Sequence, residues 1–547
     1  MPTSSNFQNV YEAFAASATT HPDKPFLLIT ASVAQNYDIA AGDISYGQAK
    51  IQVDKLAQAY RNAGYVKQTS RPIRVALMVD NRPSFFLHWF ALNSLGVSVV
   101  PINAEFNAKE QAYLLQQSEA CLLVATDCHL ERGAEAIRLL ATAIPVASDN
   151  DPTFPSIGDA ENLSAPNTSD ECAMLFTSGS TGNPKACLLS NEYYLEMGYW
   201  YRDIGGLCEL AHAEERLITP LPLTHMNAMA TSAMAMVVTA GCLVQLDRFH
   251  PKSWWSDVRT SGATICHYLG VMPAILLQMD AATTDADNQI KFGFGAGVNP
   301  AHHAKFESRF GFPLIEAWAM TETGSGACII ANHEPRHVGT SCFGKPDPSH
   351  VAVRIMDESG QPAEQGELQV RRAGDEPQKG FFTEYYNNPQ ATAEGWADGW
   401  WHTGDVVRRN EDGSLTFVDR SKNIIRRSGE NIAALEVEAV LSRHPAPRIV
   451  AVTPVPDEIR GEEVMACVIL NEDEAPTEDT AMGLFNHVFS ELAYYKTPGY
   501  IAFVDDMPLT ATQKPKRNEI KQLARSLVED ADQAKVFDMR AMKKKPK

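Results

Sequence analysis

Short apolar runs that alternate with helix-like segments constrain the fold of this chain more than any other feature. Residues 45–64 have helical spacing, with Ser45 and Gln48 placed as in a capping box, and a strand-like run over 73–79 follows them. Similar helix and strand patterns continue to residue 125 and resume after residue 217. Strands that alternate with helices predict βαβ units and a parallel sheet, so the pattern predicts an α/β fold class.

The later part of the chain has a different character. Residues 126–170 are predicted to be rich in loops, and short alternating segments after residue 338 predict a small antiparallel β unit. Helix-like residues at 434–444 and 481–493 predict a separate α+β domain of ordinary size, which ends in a frayed basic tail, KKKPK. The expected division is an N-terminal domain over 1–419 with its β-rich part at about 338–419, a hinge over 420–423, and a C-terminal domain over 424–547.

Composition excludes several classes of protein. A net charge of −20 over 547 residues argues against a general binder of nucleic acid or membrane surfaces. The sequence shows neither a signal peptide nor an apolar run long enough to span a membrane. Ten cysteines without a CxxC pair predict free thiols in a reducing compartment, which favours a cytoplasmic location. The pair His302-His303 is expected at a solvated helix start and not at a metal site.

The segment from Leu175 to Lys185, LFTSGSTGNPK, carries the strongest chemical signal. An apolar run ends there in glycines and hydroxyl side chains, and a lysine closes the segment. Glycine lets backbone N–H groups approach an anion, and the hydroxyls and the lysine add donors and charge, so the segment predicts a phosphate-binding loop. It is not the Walker pattern, because Ala186 follows the lysine where that motif needs Ser or Thr. A Gly/Ser-rich surface turn is the alternative interpretation.

Six further segments follow this loop, and the seven together resemble the adenylate-forming superfamily of acyl-CoA synthetases, carrier-protein adenylation domains and luciferases. Each motif is a weak signal by itself, but the set covers most of the chain in the family's order and is specific. The segments are TSGSTGNPK (177–185), PLTH (222–225), GAG (295–297), EAWAMTETG (316–324), WHTGD (401–405), DRSKNIIRRSGENI (419–432) and PLTATQK (508–514).

The resemblance implies a large N-terminal domain of two βα-layered subdomains plus a small β-barrel, followed by a small mobile α+β C-terminal domain. It implies an ATP-dependent carboxylic acid:CoA ligase that forms an acyl-adenylate, releases pyrophosphate and then forms the thioester. Mg²⁺ is the implied cofactor, and ATP and CoA are the co-substrates. Two alternatives stay open, an enzyme that loads a carrier protein and a nucleotide-binding regulator without catalysis. A homodimer is the oligomer that the resemblance suggests.

The resemblance also implies a nucleotide site. Trp318 stands where the family has a tyrosine that stacks on adenine, and Asp405 matches the acid that binds the ribose hydroxyls. Glu322 matches the magnesium-binding glutamate, and the Thr177 or Thr321 hydroxyl would lie nearby, with Thr177 as the expected second ligand. The implied ATP- and AMP-binding residues are Thr177, Ser178, Gly179, Ser180, Thr181, Gly182, Lys185, Gly295, Ala296, Gly297, Glu316, Ala317, Trp318, Thr321, Asp405 and Arg420.

Lys514 matches the family's catalytic lysine, which neutralises charge on the carboxylate and the α-phosphate. The family pattern ends in Gly-Lys whereas this chain has Gln513 before the lysine, so Lys516 stays open as the alternative. His225, which lies between the carboxylate and phosphate sites in the family, and Glu322 complete the implied catalytic set.

The resemblance places a hinge at Lys422, about which the C-terminal domain would turn between the two half-reactions. After that turn, four residues would line the path of the CoA thiol. These residues are Arg427, Ser428, Gly429 and Glu430.

The acyl pocket is the least determined part of the implied site. Its expected lining is His225, Asn227, His267, Tyr268, Phe294 and Trp318, with Cys266 and Met272 beside them. Several of these side chains are polar, which favours a small-to-medium acid, partly polar or ring-bearing, over a long alkyl chain. The general pattern most resembles the carnitine/crotonobetaine and the medium-chain or aryl acid CoA ligases. The sequence leaves open which acid and which acceptor are used, and the oligomeric state.

Overall fold

The structure is a computed structural model that describes residues 7–68, 72–158, 164–177, 184–357, 359–420, 424–508, 517–529 and 535–543. The predictions for Ser178–Gly182, Lys422, Lys514 and Lys516 lie outside these residues. The chain forms two compact units, of which the first comprises Met1–Ala104, Gln111–Phe176 and Ala186–Asp419. The second comprises Glu105–Glu110, Thr177–Lys185 and Arg420–Lys547.

In its described residues, the first unit contains three sheets and twelve α-helices. Its strands are β1 (Pro25–Ile29), β2 (Gly42–Ser45), β3 (Arg74–Met78), β4 (Ser98–Pro101), β5 (Leu122–Ala125), β6 (Val146–Ser148), β7 (Glu171–Thr177), β8 (Lys185–Ser190), β9 (Arg216–Thr219), β10 (Cys242–Gln245), β11 (Ile265–Leu269), β12 (Phe292–Ala296), β13 (Leu314–Trp318), β14 (Ile329–Ile330), β15 (Val351–Met356), β16 (Gln365–Arg372), β17 (Glu384–Tyr385), β18 (Trp396–Ala397), β19 (Trp400–Arg409) and β20 (Leu415–Arg420). Its helices are α1 (Val10–Thr20), α2 (Ala31–Tyr37), α3 (Tyr46–Asn62), α4 (Pro83–Ser94), α5 (Ala108–Ser118), α6 (Leu130–Arg138), α7 (Asn191–Asp203), α8 (Ala233–Thr239), α9 (Trp254–Ser261), α10 (Val271–Gln278), α11 (Pro300–Phe310) and α12 (Pro389–Gly395).

Two of these sheets are layered with helices. A seven-stranded sheet has the order β17-β8-β7-β4-β3-β5-β6, and an eight-stranded sheet has the order β14-β13-β12-β11-β9-β10-β1-β2. The central strands pair in parallel in both sheets. The predicted α/β class is therefore confirmed. The third sheet joins β15, β16, β19, β18 and β20, and it occupies the residues predicted for the small β-rich part.

Hydrogen bonds between neighbouring residues stabilise the start of the predicted helix α3. The Ser45 side chain accepts the N–H of Gln48 at 3.2 Å, and the Gln48 side chain accepts the N–H of Ser45 at 2.9 Å. This reciprocal capping box satisfies N–H groups that a helix start otherwise leaves free. Helix α4 is instead held by burial, because most of its side chains, among them Phe86 and Trp89, lie inside the core. A helix that is apolar on all sides belongs in a protein interior.

The second unit is an α+β domain, as predicted. Its strands are β21 (Ile424–Arg427), β22 (Glu430–Ala433), β23 (Pro447–Asp457), β24 (Gly461–Leu470), β25 (Tyr500–Phe503) and β26 (Val536–Asp538). Its helices are α13 (Ala434–Leu441), α14 (Glu478–Glu491) and α15 (Arg517–Glu529). β23 and β24 form a long antiparallel pair over a core that includes Val437, Val468 and Phe485. Among the described residues, none of the helices combines the length and apolar character needed to cross a bilayer.

Three local predictions were wrong. The passage over 126–170 contains α6 and β6, which the sequence interpretation missed although Gly133, Ala136 and Ile137 of the short helix α6 are buried on one face. His303 lies on the first turns of α11 but is buried, with Nε2 3.0 Å from the carbonyl oxygen of Leu314. The basic tail is not frayed at its first residue, because Lys543 is buried and ion-paired.

Candidate functional site

The ends of β7 and β8 position the phosphate-binding segment. β7 ends at Thr177 after the buried run Cys172–Leu175, and β8 begins at Lys185. β7 pairs in parallel with β4, so Thr177 lies at a carboxyl edge of the sheet. Ligands of open α/β sheets bind beyond such edges, and the glycine- and hydroxyl-rich segment predicted to bind phosphates begins there.

Glu316 holds the Gly295-Ala296-Gly297 loop. The N–H of Gly297 donates to Glu316 Oε2 at 2.9 Å, and the N–H of Val298 donates to Oε1 at 2.8 Å. β12 and β13 are neighbours, with Gly295 opposite Glu316, so the carboxylate lies directly beside the loop. The family resemblance implies that Glu316 contacts the nucleotide. In the structure its carboxylate fixes the shape of the loop, and both of its oxygens accept backbone hydrogen bonds.

Gly270 packs against the same loop, and we expect Gly270→Ala to displace it. Gly270 has ordinary helical backbone angles, but a Cβ there would lie 1.7 Å from the carbonyl oxygen of Gly297. Overpacking of this kind costs about 1–3 kcal/mol, so the variant should unfold at a lower temperature and show a raised KM for ATP. Thermal unfolding and ATP kinetics measure both effects. The control is Gly483→Ala, whose Cβ would meet its nearest neighbour at 3.7 Å; identical behaviour of the two variants would contradict the argument.

The structure brings Trp318 and Asp405 together. The indole N–H of Trp318 donates to Asp405 Oδ2 at 2.9 Å, although 87 residues separate them in sequence. Both are buried, with 6% and 1% of their surfaces exposed. Trp318 ends β13, and Asp405 lies within β19. The two residues expected to bind adenine and ribose are therefore one hydrogen-bonded unit. The side chain of Arg420, at the end of β20, lies outside the described part of the chain.

The turn after Trp318 positions Glu322. Tyr385 donates its hydroxyl to Glu322 Oε1 at 2.6 Å, and burial together with this carboxylate raises the pKa of Tyr385 far above its usual range. Tyr193 donates its hydroxyl to the carbonyl oxygen of Thr321 at 2.9 Å. Gly324 has a φ of +48°, and a Cβ there would lie 2.3 Å from the Tyr193 ring. The result is a fixed, buried carboxylate, which suits a bound cation.

The PLTH motif leads into a π-helix over Asn227–Ser232, a form that is frequent at functional sites. His225 lies partly exposed before it. His267 is fully buried: its Nδ1 lies 2.7 Å from Ser232 Oγ and 3.1 Å from Asn227 Oδ1, and its Nε2 lies 3.0 Å from the Tyr201 hydroxyl. Burial lowers the pKa of His267 to about 3, so its imidazole is neutral at physiological pH.

The expected acyl-pocket residues divide between two faces of the eight-stranded sheet. His267 and Phe294 are opposite each other on β11 and β12, and their ring centroids are 4.9 Å apart. Tyr268 points to the other face, where its hydroxyl donates to the carbonyl oxygen of Ile315 at 3.2 Å. Because side chains alternate along a strand, His267 and Tyr268 do not line the same cavity. The sequence patterns missed Tyr201, whose ring stacks on His267 and lies tilted against Phe294.

In the second unit, the expected CoA residues form the hairpin between β21 and β22. Arg427 pairs with Glu430, and Ser428 and Gly429 make the two-residue turn with φ of +51° and +90°. Such turns need positive φ at both positions, which glycine adopts without strain. Arg427 is buried, and its Nε donates to Glu463 Oε2 at 2.8 Å.

Lys543 binds the other oxygen of this carboxylate at 2.5 Å, and burial lowers the pKa of Lys543 to about 7. Glu463 is thus a positioning partner of Arg427 that the motif did not indicate.

Comparisons with known proteins assign the family. Residues 14–382 match the AMP-binding enzyme family, and residues 436–514 match the AMP-binding enzyme C-terminal domain. A crotonobetaine/carnitine–CoA ligase of Escherichia coli is 30% identical over 509 residues, which cover 90% of this chain and 96% of that protein. The Escherichia fergusonii enzyme of the same name is 29% identical over 508 residues, with the same coverage. The fold is similar to that of o-succinylbenzoate CoA synthetase from Bacillus subtilis, with a TM-score of 0.78 at 21% identity over 94% of this chain and 98% of that one. This chain therefore belongs to the AMP-binding enzyme family, among the acyl-CoA ligases of that family.

Proposed function

We propose that this ligase activates a compact monocarboxylic acid, short or ring-bearing, and not a long-chain fatty acid. The observation that carries the proposal is the cluster of Tyr201, His267 and Phe294, whose ring centroids are 4.9–5.6 Å apart. These rings are at most 3% exposed, and in the proposed acyl pocket they would leave little room for a long alkyl chain. Since His267 is neutral, it offers no positive charge to a second carboxylate on the substrate.

ATP and CoA are the proposed co-substrates, in keeping with the place of this chain among the acyl-CoA ligases. In the proposed reaction, a carboxylate oxygen forms a bond to the α-phosphorus of ATP while the bond to pyrophosphate breaks. The CoA thiolate then attacks the acyl carbon, and AMP leaves with the bonding electron pair. Lys514 would neutralise charge in the first step, and the loop held by Glu316 would bring backbone close to the nucleotide.

Mg²⁺ is the proposed cofactor, held by Glu322 and Thr177. The Glu322 carboxylate fits a hard cation, since Oε1 is oriented by Tyr385 and Oε2 is the candidate ligand atom. The ion would neutralise charge on the phosphates. We also propose a cytoplasmic location, which ten free cysteines support. A homodimer is a further proposal, and light scattering of the purified chain tests it.

An acid panel tests the substrate proposal. Pyrophosphate release is measured with benzoate-type, short branched, medium-chain, long-chain, dicarboxylic and betaine acids, each with and without CoA. The expected result is turnover of compact monocarboxylates, with the adenylate consumed when CoA is added. Preference for a long-chain or dicarboxylic acid overturns the proposal. The panel includes crotonobetaine, because the relatives above are named for that acid. Aromatic faces also bind quaternary ammonium groups such as the one it carries.

We expect Trp318→Phe to weaken recognition of the ribose, because the ring is kept while the hydrogen bond to Asp405 is lost. A hydrogen bond to a charged group contributes about 1.5–3 kcal/mol, so kcat/KM for ATP should fall about ten- to a hundredfold. Discrimination between ATP and its deoxyribose analogues should fall as well. The matched control is Asp405→Asn, alone and combined with Trp318→Phe. Fully additive losses in the double variant would show that the two side chains act independently.

We further propose that the second unit turns about Lys422 between the half-reactions. Support comes from the boundary between the compact units at Asp419 and Arg420. Lys422→Pro fixes φ and removes an N–H, so thioester formation should slow by about ten- to a hundredfold while adenylate formation is retained. Lys422→Ala removes the charge and leaves the backbone free, so it is the control. A proline variant with a normal thioester rate would exclude this residue as the hinge.

A further inference from the structure

Three side chains of types that can ligate a metal ion meet at the carboxyl edge of the seven-stranded sheet. Asp80 follows β3, and Cys128 and His129 follow β5. His129 Nε2 lies 3.0 and 3.1 Å from the two oxygens of Asp80. One carboxylate oxygen, the thiol sulfur and one imidazole nitrogen all lie within 4.8 Å of one another. None of these residues belongs to the motifs that the ligase reaction uses.

The topology makes this edge a natural ligand site. The chain passes from β3 to β4 on one side and then returns to β5 on the other side of β3, as the order β4-β3-β5 shows. The strand order therefore reverses between β3 and β5, which pair in parallel from Val75 to Met78. In open α/β sheets, the loops separate at such a reversal and leave a crevice beyond the carboxyl ends of the two strands. Asp80, Cys128 and His129 lie in the loops at this crevice.

The local structure holds these side chains in place. A 3₁₀ turn over Asp127–His129 follows β5 directly. Asp127 accepts hydrogen bonds from Ser148 Oγ at 2.5 Å and from Asn150 Nδ2 at 3.3 Å, which fastens the turn to the end of β6. Cys128 is exposed, whereas eight of the other cysteines are buried and Cys121 is partly buried. The thiol is therefore accessible, and its neighbours are fixed.

We propose that Asp80, Cys128 and His129 form a binding site for a thiophilic divalent cation, with Zn²⁺ as the best fit. Zinc takes sulfur, nitrogen and oxygen ligands in tetrahedral geometry, and three protein ligands leave the fourth position for water. The Asp80 carboxylate and the Cys128 thiolate would balance the two positive charges of the ion, and the His129 imidazole would be the third protein ligand. Mg²⁺ and Ca²⁺ prefer oxygen ligands, so the magnesium of the ATP reaction does not compete here. This site is independent of the proposed acid substrate.

Arg82 gives the proposal a second, electrostatic test. Its Nε lies 3.9 Å from Asp80 Oδ2, and its guanidinium lies over the Tyr37 ring at 4.1 Å. This positive charge opposes a bound cation, so removing it should tighten binding. At an effective dielectric constant near that of a protein surface, Arg82→Gln should raise the affinity by about three- to tenfold.

Cobalt(II) titration of the full chain, without ATP, tests the site directly. One Co²⁺ per chain should bind with the ultraviolet absorption of a cobalt–thiolate bond, and Zn²⁺ should displace it. Cys128→Ser should abolish this absorption, and Asp80→Asn and His129→Gln should each lower the affinity by at least about tenfold. The matched control is His250→Gln, because His250 Nε2 lies 2.9 Å from an Asp247 oxygen, much as His129 Nε2 lies 3.0 Å from an Asp80 oxygen. This control variant should bind cobalt normally.

Thiol labelling provides an independent readout. Cys128 should react first with a thiol reagent in the folded protein, and Zn²⁺ should slow that reaction at concentrations that displace cobalt. A cobalt spectrum without the thiolate absorption, or an affinity unchanged by Cys128→Ser, would overturn the proposal. So would tighter binding of Mg²⁺ than of Zn²⁺. Circular dichroism of each variant confirms that it is folded.

Discussion

Lys514→Ala is expected to lower the rate of acyl-adenylate formation by about two to three orders of magnitude, the usual cost of removing one group that stabilises developing charge. The carboxylate and the α-phosphate are both negative, and they approach each other in this step. A lysine between them offsets their repulsion. The thiol attack in the second step does not join two such anions, so thioester formation from supplied acyl-adenylate should be nearly unchanged.

The neighbouring lysine provides the control for this prediction. Lys516→Ala removes an equal charge two residues away and should leave both half-reactions close to normal. Pyrophosphate release measures the first step, and conversion of synthetic acyl-adenylate to acyl-CoA measures the second. If Lys516→Ala carries the loss instead, the catalytic assignment moves to that residue. Equal losses of both steps in Lys514→Ala would contradict the proposed alternation between half-reactions.

Glu322→Gln should have an effect of similar size on adenylate formation, about two to three orders of magnitude. The substitution keeps the shape of the side chain and an oxygen that accepts the Tyr385 hydroxyl, but it removes the charge. A buried, fixed carboxylate is the feature that suits this position to a cation. The expected signature is therefore a higher Mg²⁺ concentration for half-maximal rate, together with a lower maximal rate.

Tyr385→Phe tests the orientation of the Glu322 carboxylate separately from its charge. It keeps the Glu322 carboxylate and removes only the 2.6 Å hydrogen bond that orients it. We expect a loss of about tenfold, which is the scale of one hydrogen bond to a charged group. Isothermal titration with Mn²⁺ and a non-hydrolysable ATP analogue adds a readout of metal affinity without turnover. A Glu322→Gln enzyme with the parent's metal dependence would exclude this residue as a ligand.

Local sequence signals predicted much of the fold because they act over a few residues. The capping box of Ser45 and Gln48 and the alternation of apolar runs reappear as α3 and the parallel strands. The missed helix α6 shows the limit of this approach, since it is only nine residues long and repeats its apolar spacing over about two turns.

The motifs predicted residues for the candidate site, but they gave no indication of the partners of those residues. Glu316 and Trp318 were expected to contact the nucleotide, and the structure adds that one holds the glycine loop and the other holds Asp405. Motif spacing does not reveal these contacts, because they join residues 19 and 87 positions apart. The same holds for the ring stack of Tyr201 and His267, which are 66 residues apart.

The sequence by itself determined the α/β class and the family, since these follow from short-range patterns and ordered motifs. Only the tertiary structure decided which side chains meet. Strand order placed Asp80 beside His129 and Glu316 beside Gly297, and burial made His267 neutral and His303 a core residue. The physical reason is that partner choice and desolvation depend on which strands become neighbours, and that is fixed by packing over the whole chain.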